Sequence, residues 1–297
     1  TGIDMNLPKY ATFGQRVGYY SFMTYCGLVF FFLIAPIFVV LPLSFSASSF
    51  FEFTPEFMRL EPEAFSLKWY KQMLGICGVD VTTVCTNKWV LGVRNSFIVG
   101  IASTLLATTL GTVAALGLSR PHMPFKALIM ALLISPMIVP LIITAAGMFF
   151  FYSQIGLTHT FTGLILAHTA LGTPFVVITV TATLTGFDTN LIRASQSLGA
   201  NTLRTFFKVI MPLILPGVIS GALFAFITSF DEVVVVLFIG SIEQVTIPKQ
   251  MWAGLRQETS PVILSMATCL VLLSIALLTT VELLRRRSER LRGIKSR

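Results

Sequence analysis

Apolar residues fall in long blocks along this chain, with neither a one-face helical period nor strict alternation. Six blocks run roughly Phe22–Phe45, Ser96–Leu118, Leu128–Phe151, Gly163–Leu184, Leu213–Ile239 and Val262–Leu284. A helix needs about 20 mostly apolar residues to cross the hydrocarbon core. Each block therefore predicts a transmembrane helix, and the expected fold class is all-α and polytopic with six transmembrane helices. Pro136, Pro140, Pro174 and Pro216 lie inside or at the edge of these blocks. Packed neighbours and polar side chains can satisfy the backbone groups such prolines free.

Composition agrees with that pattern. The 297 residues are 55% hydrophobic and 11% charged, with mean hydropathy +0.83. A soluble domain carries about twice that share of charge. Six spans place both termini on one side, and the excess of Lys and Arg on one set of loops and tails marks that side as cytoplasmic. Lys9, Arg16, Arg120, Lys126, Arg193, Arg204, Lys208 and seven basic residues from Arg285 to Arg297 fall there. Against them stand only Asp4, Asp188, Glu282 and Glu289. The predicted layout is a cytoplasmic segment 1–21, a six-span domain 22–284 and a basic cytoplasmic tail 285–297. The net charge of +8 reads as topology anchoring, and no nucleic acid partner is expected.

Two polar stretches interrupt the apolar blocks. The outer one covers about 46–94 and contains SLKWYKQML. Leu67, Tyr70, Lys71 and Leu74 follow helical spacing, and Ser66 can cap the N-terminus. Either a short amphipathic helix on the outer membrane surface or a partly ordered loop fits. Cys77 and Cys85 in CGVDVTTVC lie in the same loop, where an oxidising compartment would permit a disulfide. Spacing alone does not establish the bond.

Several chemistries lack their motif. No G-x-x-x-x-G-K-[ST] loop occurs, nor H-E-x-x-H or C-x-x-C. No metal site or cofactor is expected in this chain, and no nucleophile–base arrangement suggests an enzyme. His168 stands inside the fourth block, where an ionisable residue is either functional or bonded to a neighbouring helix.

The cytoplasmic stretch, about 185–212, contains IRASQSLGANTLRTFFKVIMP. Leu191–Leu198 reads as a short helix, Gly199 as its left-handed cap, and Asn201 or Thr202 as the cap of a second helix through about Val209. Pro212 suits the first turn of the next span. A plain connector needs only a few residues, so this polar knob points to docking.

The knob resembles the signature loop of ABC importer permeases, in which E-A-A-x-x-x-G is followed after nine residues by I-x-L-P. Arg193, Ala194, Ser195 and Gly199, followed by Ala200, fall on the first part, and Val209, Met211 and Pro212 on the second. Arg193 and Ser195 depart from the usual Glu and Ala. RNSFIVGIASTLLATTLGTVAALGLSR, SPMIVPLI, SFDEVVVVLFIG and TIPKQMWAGLRQETSPVI are similar to the polyamine branch of the family, which serves spermidine and putrescine. The resemblance implies the type I importer permease fold in a bacterial inner membrane. It implies a homologous second permease subunit, two copies of an ATPase that binds ATP and Mg, and a periplasmic substrate-binding protein. Related permeases carry opines or phosphonates, so another small solute is an alternative. A self-sufficient secondary transporter would leave the knob unexplained.

Asp231 and Glu232 form the acidic pair within a predicted span. A buried charge costs roughly 3 kcal/mol or more there and usually faces a wet cavity or a partner. One reading has the pair attract a cationic solute. The other has it reach the outer interface or bridge to a neighbouring subunit. Trp252 could stack on a cation or serve as an interface aromatic.

Overall fold

The computed structural model describes residues 12–76, 87–120, 122–257 and 260–291. The Cys77 and Cys85 pair lies outside the described residues, as do Lys9 and the last six residues of the basic tail. The described elements are all helical, with one isolated antiparallel bridge between Ser46 and Phe65. The chain divides into two compact units.

The first unit holds residues up to 72 together with 259–273. Helix α1 (Phe13–Leu43) starts nine residues before the apolar block that predicts it. Thr12 explains the early start: its hydroxyl accepts from Gln15 N, and the Gln15 side chain accepts from Thr12 N. This reciprocal box satisfies two of the orphan donors at a helix start. Beyond α1 the chain folds into short elements. It contains α2 (Pro55–Met58), a 3₁₀ turn at Pro62–Ala64 and α3 (Lys68–Met73). Trp69 Nε1 donates to the Ser46 carbonyl at 2.8 Å, and the Tyr70 hydroxyl meets Ser44 Oγ at 2.7 Å. Ser66 Oγ accepts from Lys68 N at 3.2 Å, so the expected cap forms. Trp69 and Met73 are buried, while Leu67 and Leu74 are exposed. Ser265, in the last helix, donates to the Ser44 carbonyl at 3.4 Å.

The second unit holds 73–258 and the chain after 273. Its elements are α4 (Lys88–Leu118), α5 (Lys126–Ile138), α6 (Leu141–Gln154), α7 (Phe161–Thr185), α8 (Asn190–Ser197), α9 (Thr202–Thr205), α10 (Met211–Asp231), α11 (Val234–Ile239) and α12 (Ile247–Gln257). Helix α13 (Val262–Leu291) begins in the first unit and ends in the second. Among the described residues, five helices can cross a membrane by length and composition. A bent pair, α5 and α6, can supply a sixth span.

That bent pair corrects the third predicted span. In place of one helix over 128–151, two helices meet at 104° around Val139 and Pro140. Pro136 and Pro140 each remove an i→i−4 hydrogen bond and crowd the carbonyl four residues back. Ser135 Oγ donates to the Leu132 carbonyl at 2.8 Å, the acceptor that Pro136 leaves without its usual donor. Both prolines lie at the break, which falls between Ile138 and Leu141. The fifth span also differs, since α10 ends at Asp231 and a separate α11 follows the break at Glu232–Val233.

Helices α4, α7 and α10 form the packed centre. Val176 of α7 sits between two glycines. A Cβ at Gly111 would lie 2.7 Å from Val176 Cβ, and one at Gly221 would lie 2.8 Å from Val176 Cα. Small residues let membrane helices approach closely where no hydrophobic force drives them together. A second cluster buries Val235, Val236 and Ile239 of α11 against Leu164, Ala167, Ala145 and Tyr152.

Candidate functional site

The polar knob begins after α7, where Asp188 Oδ1 accepts from Asn190 N at 2.9 Å and starts α8. The helix ends at Gly199, which has φ +80°. Ala200 N donates to the Ser195 carbonyl at 3.1 Å, and Gly199 N to the Gln196 carbonyl at 2.9 Å. This bond pair is the Schellman closure, which favours glycine at the left-handed position. Asn201 Oδ1 then accepts from Arg204 N at 2.8 Å and caps α9, as its residue type predicts.

The second arm departs from expectation. It does not end before Pro212 as a separate helix. Instead α9 passes through a five-residue π turn, Phe206–Ile210, into α10. Residues Thr202–Asp231 thus form one rod of 30 residues that begins in the polar knob and is long and apolar enough to cross a membrane. Pro212 cannot donate to the Lys208 carbonyl and crowds it. The widened turn lies where that mismatch is absorbed.

Ser195 Oγ and Thr205 Oγ1 meet at 2.6 Å, both buried. This bond clasps α8 to α9, and it gives the Ser195 departure from the signature a structural role. Arg193 and Ala194 are exposed, Ala200, Val209 and Met211 are half-buried, and Pro212 is exposed. The exposed surface of the knob adds Leu198, Leu203 and Phe207, with Leu198 at 88%, and the cations Arg204 and Lys208. The motif does not include those five side chains. Their signal was the repeat of an apolar–basic pair, Leu203–Arg204 and Phe207–Lys208, one helical turn apart.

At the other end of α10 the acidic pair splits. Asp231 is exposed, while Glu232 is only 6% exposed. Glu232 Oε1 accepts from Val235 N at 2.9 Å and so caps α11. Trp252 of α12 is exposed and has Arg256 over its ring, 5.2 Å from the centroid. No hydrogen bond or ring contact joins Trp252 to Asp231 or Glu232 among the described residues. Lys249, which the sequence reading did not single out, donates to the carbonyls of Gly240 and Ser241 at 3.1 and 3.0 Å. Burial pushes its ammonium pKa down. Asn95 of α4 donates to the carbonyls of Glu243 and Val245 at 2.7 and 2.9 Å.

Between the two ends lies a buried polar node. His168 Nδ1 is 2.7 Å from Ser229 Oγ, and Ser103 Oγ donates to Ser229 Oγ at 3.0 Å. It joins α7, α10 and α4, so His168 is bonded to a neighbouring helix. No group of three or more His, Cys, Asp or Glu suited to a metal ion occurs among the described residues.

A helical bundle with membrane-length helices, one bent pair and a polar helix–turn–helix defines a polytopic membrane protein. Residues 107–290 match the family described as binding-protein-dependent transport system inner membrane component, and the chain belongs to that family. It is similar to the spermidine/putrescine transport system permease protein PotC of Haemophilus influenzae, with 26% identity over 88% of this chain and 95% of that one. It is also similar to the putrescine transport system permease protein PotI of Escherichia coli, with 26% identity over 82% and 83%. Among solved structures, a bacterial ABC transporter involved in import of the acidic polysaccharide alginate shares the fold. That likeness has TM-score 0.68 and 14% identity, and covers 93% of this chain and 99% of that chain. This protein is thus a multi-pass inner-membrane permease subunit of an ABC importer.

Proposed function

We propose that this chain is a non-catalytic permease subunit that imports polyamine cations such as spermidine and putrescine. Its partners in this reading are a homologous second permease subunit, two copies of an ATPase that binds ATP and Mg, and a periplasmic substrate-binding protein. The observation that carries the coupling role is the continuous rod from Thr202 to Asp231. A push on the clasped knob at one end is delivered to the break at Asp231–Glu232 at the other. Alternating access follows when ATP-driven movement of the partner rocks this rod against α4 and α7.

The knob's exposed cations, Arg193, Arg204 and Lys208, favour an acidic groove on the ATPase, with Leu198, Leu203 and Phe207 as apolar contacts. Such a groove compensates for the Arg that stands where relatives of this family usually have Glu.

The likeness to PotC and PotI supports the polyamine substrate. Of the acidic pair, Asp231 is the carboxylate that can meet a passing ammonium group, since Glu232 is turned inward to cap α11. Trp252 joins the path as a cation-stacking face only if Arg256 moves off its ring. The test is ATP-dependent uptake of labelled spermidine by the complete importer in proteoliposomes. Uptake that falls in Asp231→Asn supports this reading. Full ATP hydrolysis with no polyamine uptake by the wild type would overturn the substrate and turn the search to other small solutes.

A further inference from the structure

The outer end of α4 borders a cavity of about 420 Å³, lined by Leu91, Arg94, Asn95, Ile98, Phe161 and Glu243. That volume lies within the range of roughly 300–1,000 Å³ typical of small-molecule sites. Leu91, Ile98 and Phe161 make its wall apolar. Its rim carries one cation and one anion, Arg94 and Glu243, both exposed. Neither charged group has a hydrogen bond or ion pair to another of the described residues.

Their placement is nevertheless fixed. Asn95 clamps the backbone on both sides of Gln244 through the carbonyls of Glu243 and Val245. Ser96 Oγ accepts from Ile247 N at 2.8 Å and adds a third tie. Glu243 is thereby held to the same helix turn that carries Arg94.

Depth supplies the second constraint. The apolar block of this helix begins at Ser96, so Arg94 sits at headgroup level, just outside the hydrocarbon. Directly below it, Ile98, Ile101 and Leu105 are exposed. The spacings of four, three and four put all of them on the stripe under Arg94. The surface thus presents, in order, two opposite charges and then an apolar ridge running into the membrane.

We infer that this cavity binds the headgroup of a zwitterionic phospholipid with a primary ammonium, as in phosphatidylethanolamine. Arg94 takes the phosphate, to which guanidinium geometry is well matched. Glu243 takes the ammonium, and an acyl chain follows Ile98, Ile101 and Leu105. An anionic lipid offers Arg94 the same phosphate but gives Glu243 no cation. A polyamine would meet Arg94 as a like charge and leave the ridge unused. A trimethylated headgroup offers Glu243 no N–H donor.

The test is native mass spectrometry of the complete, delipidated importer given equal concentrations of phosphatidylethanolamine, phosphatidylglycerol and phosphatidylcholine. Wild type is expected to retain phosphatidylethanolamine about tenfold over the other two, the worth of one charge-assisted hydrogen bond. Glu243→Gln should erase that preference, and Arg94→Gln should cut retention of every lipid by about tenfold or more. The same spectra report subunit assembly. If Arg94→Gln fails to assemble, the exposed Glu243→Gln variant decides alone. Equal retention of the three lipids by wild type, or an unchanged preference in Glu243→Gln, overturns the proposal. Displacement by soluble phosphoethanolamine at matching concentration would assign the site to a free phosphate ester. Displacement by spermidine would assign it to the transported solute.

Discussion

Ser195→Ala separates a structural clasp from a surface contact in the knob. The Ser195–Thr205 bond is 2.6 Å long and buried. A net hydrogen bond contributes about 1 kcal/mol, but stranding one partner costs about 1–3 kcal/mol because its desolvation is not repaid. Ser195→Ala strands the Thr205 hydroxyl, and Thr205→Val strands the Ser195 hydroxyl. Removing both leaves two apolar groups of similar shape, which is nearly neutral. Each single variant should therefore open the knob roughly 5- to 150-fold more often, and the double variant should recover most of that loss. Amide hydrogen exchange over residues 198–205 of the assembled importer reads the opening equilibrium directly. Substrate-stimulated ATP hydrolysis should fall and recover in step. Additive losses in the double variant would refute the reasoning, because two independent sites add and a shared bond does not. Unchanged exchange in both single variants would show that the turn is held by Gly199 and Asn201 alone.

The remaining predictions concern the turn, the partner groove, the Glu232 cap and the buried His168–Ser229 bond. Gly199→Ala should cost about 1–2 kcal/mol of knob stability and Gly199→Asn less, since φ is +80° and no atom lies within 4 Å of an added Cβ; hydrogen exchange of the same segment ranks them. Arg193→Glu should weaken recovery of the ATPase with the permease by about tenfold, a reversal worth about 1–2 kcal/mol, and a pull-down at two salt concentrations checks it. Glu232→Gln keeps an acceptor for Val235 N and should leave uptake largely intact, whereas Glu232→Ala should cost about 1 kcal/mol through the lost cap. Thermal stability in detergent, read beside uptake, separates the two. Ser229→Ala should cost about 1–3 kcal/mol by stranding His168 Nδ1, seen as a lower melting temperature.

Transmembrane blocks were legible because twenty apolar residues in a row admit few other readings. The breaks inside them were less so. A proline in a membrane helix can be absorbed or can snap it, and block composition does not say which. Pro174 lies within an unbroken α7, while Pro136 and Pro140 accompany the 104° bend. Pairing does not decide it either, since Pro212 and Pro216 stand one turn apart within the continuous rod of Thr202–Asp231. The apolar block from Leu213 to Ile239 likewise hid the end of α10, since Val233 and Val234 suit a lipid-facing helix and a buried half-helix equally.

The knob was legible in its turn and illegible in its second arm. Gly199 and Asn201 act through their own backbone and nearest neighbours, which is information a local window contains. Whether the chain stops before Pro212 depends on a π turn that reconciles proline with the helix behind it. No residue type marks that turn. The acidic pair shows the same limit. Two adjacent carboxylates look alike in sequence, yet the break after Asp231 turns Glu232 inward to a backbone N–H and leaves Asp231 exposed. Capping a half-helix at that break requires an acceptor with no free partner of its own. Meeting a cation requires a carboxylate that remains uncommitted. One helix end here supplies both, because the break makes successive residues face opposite environments.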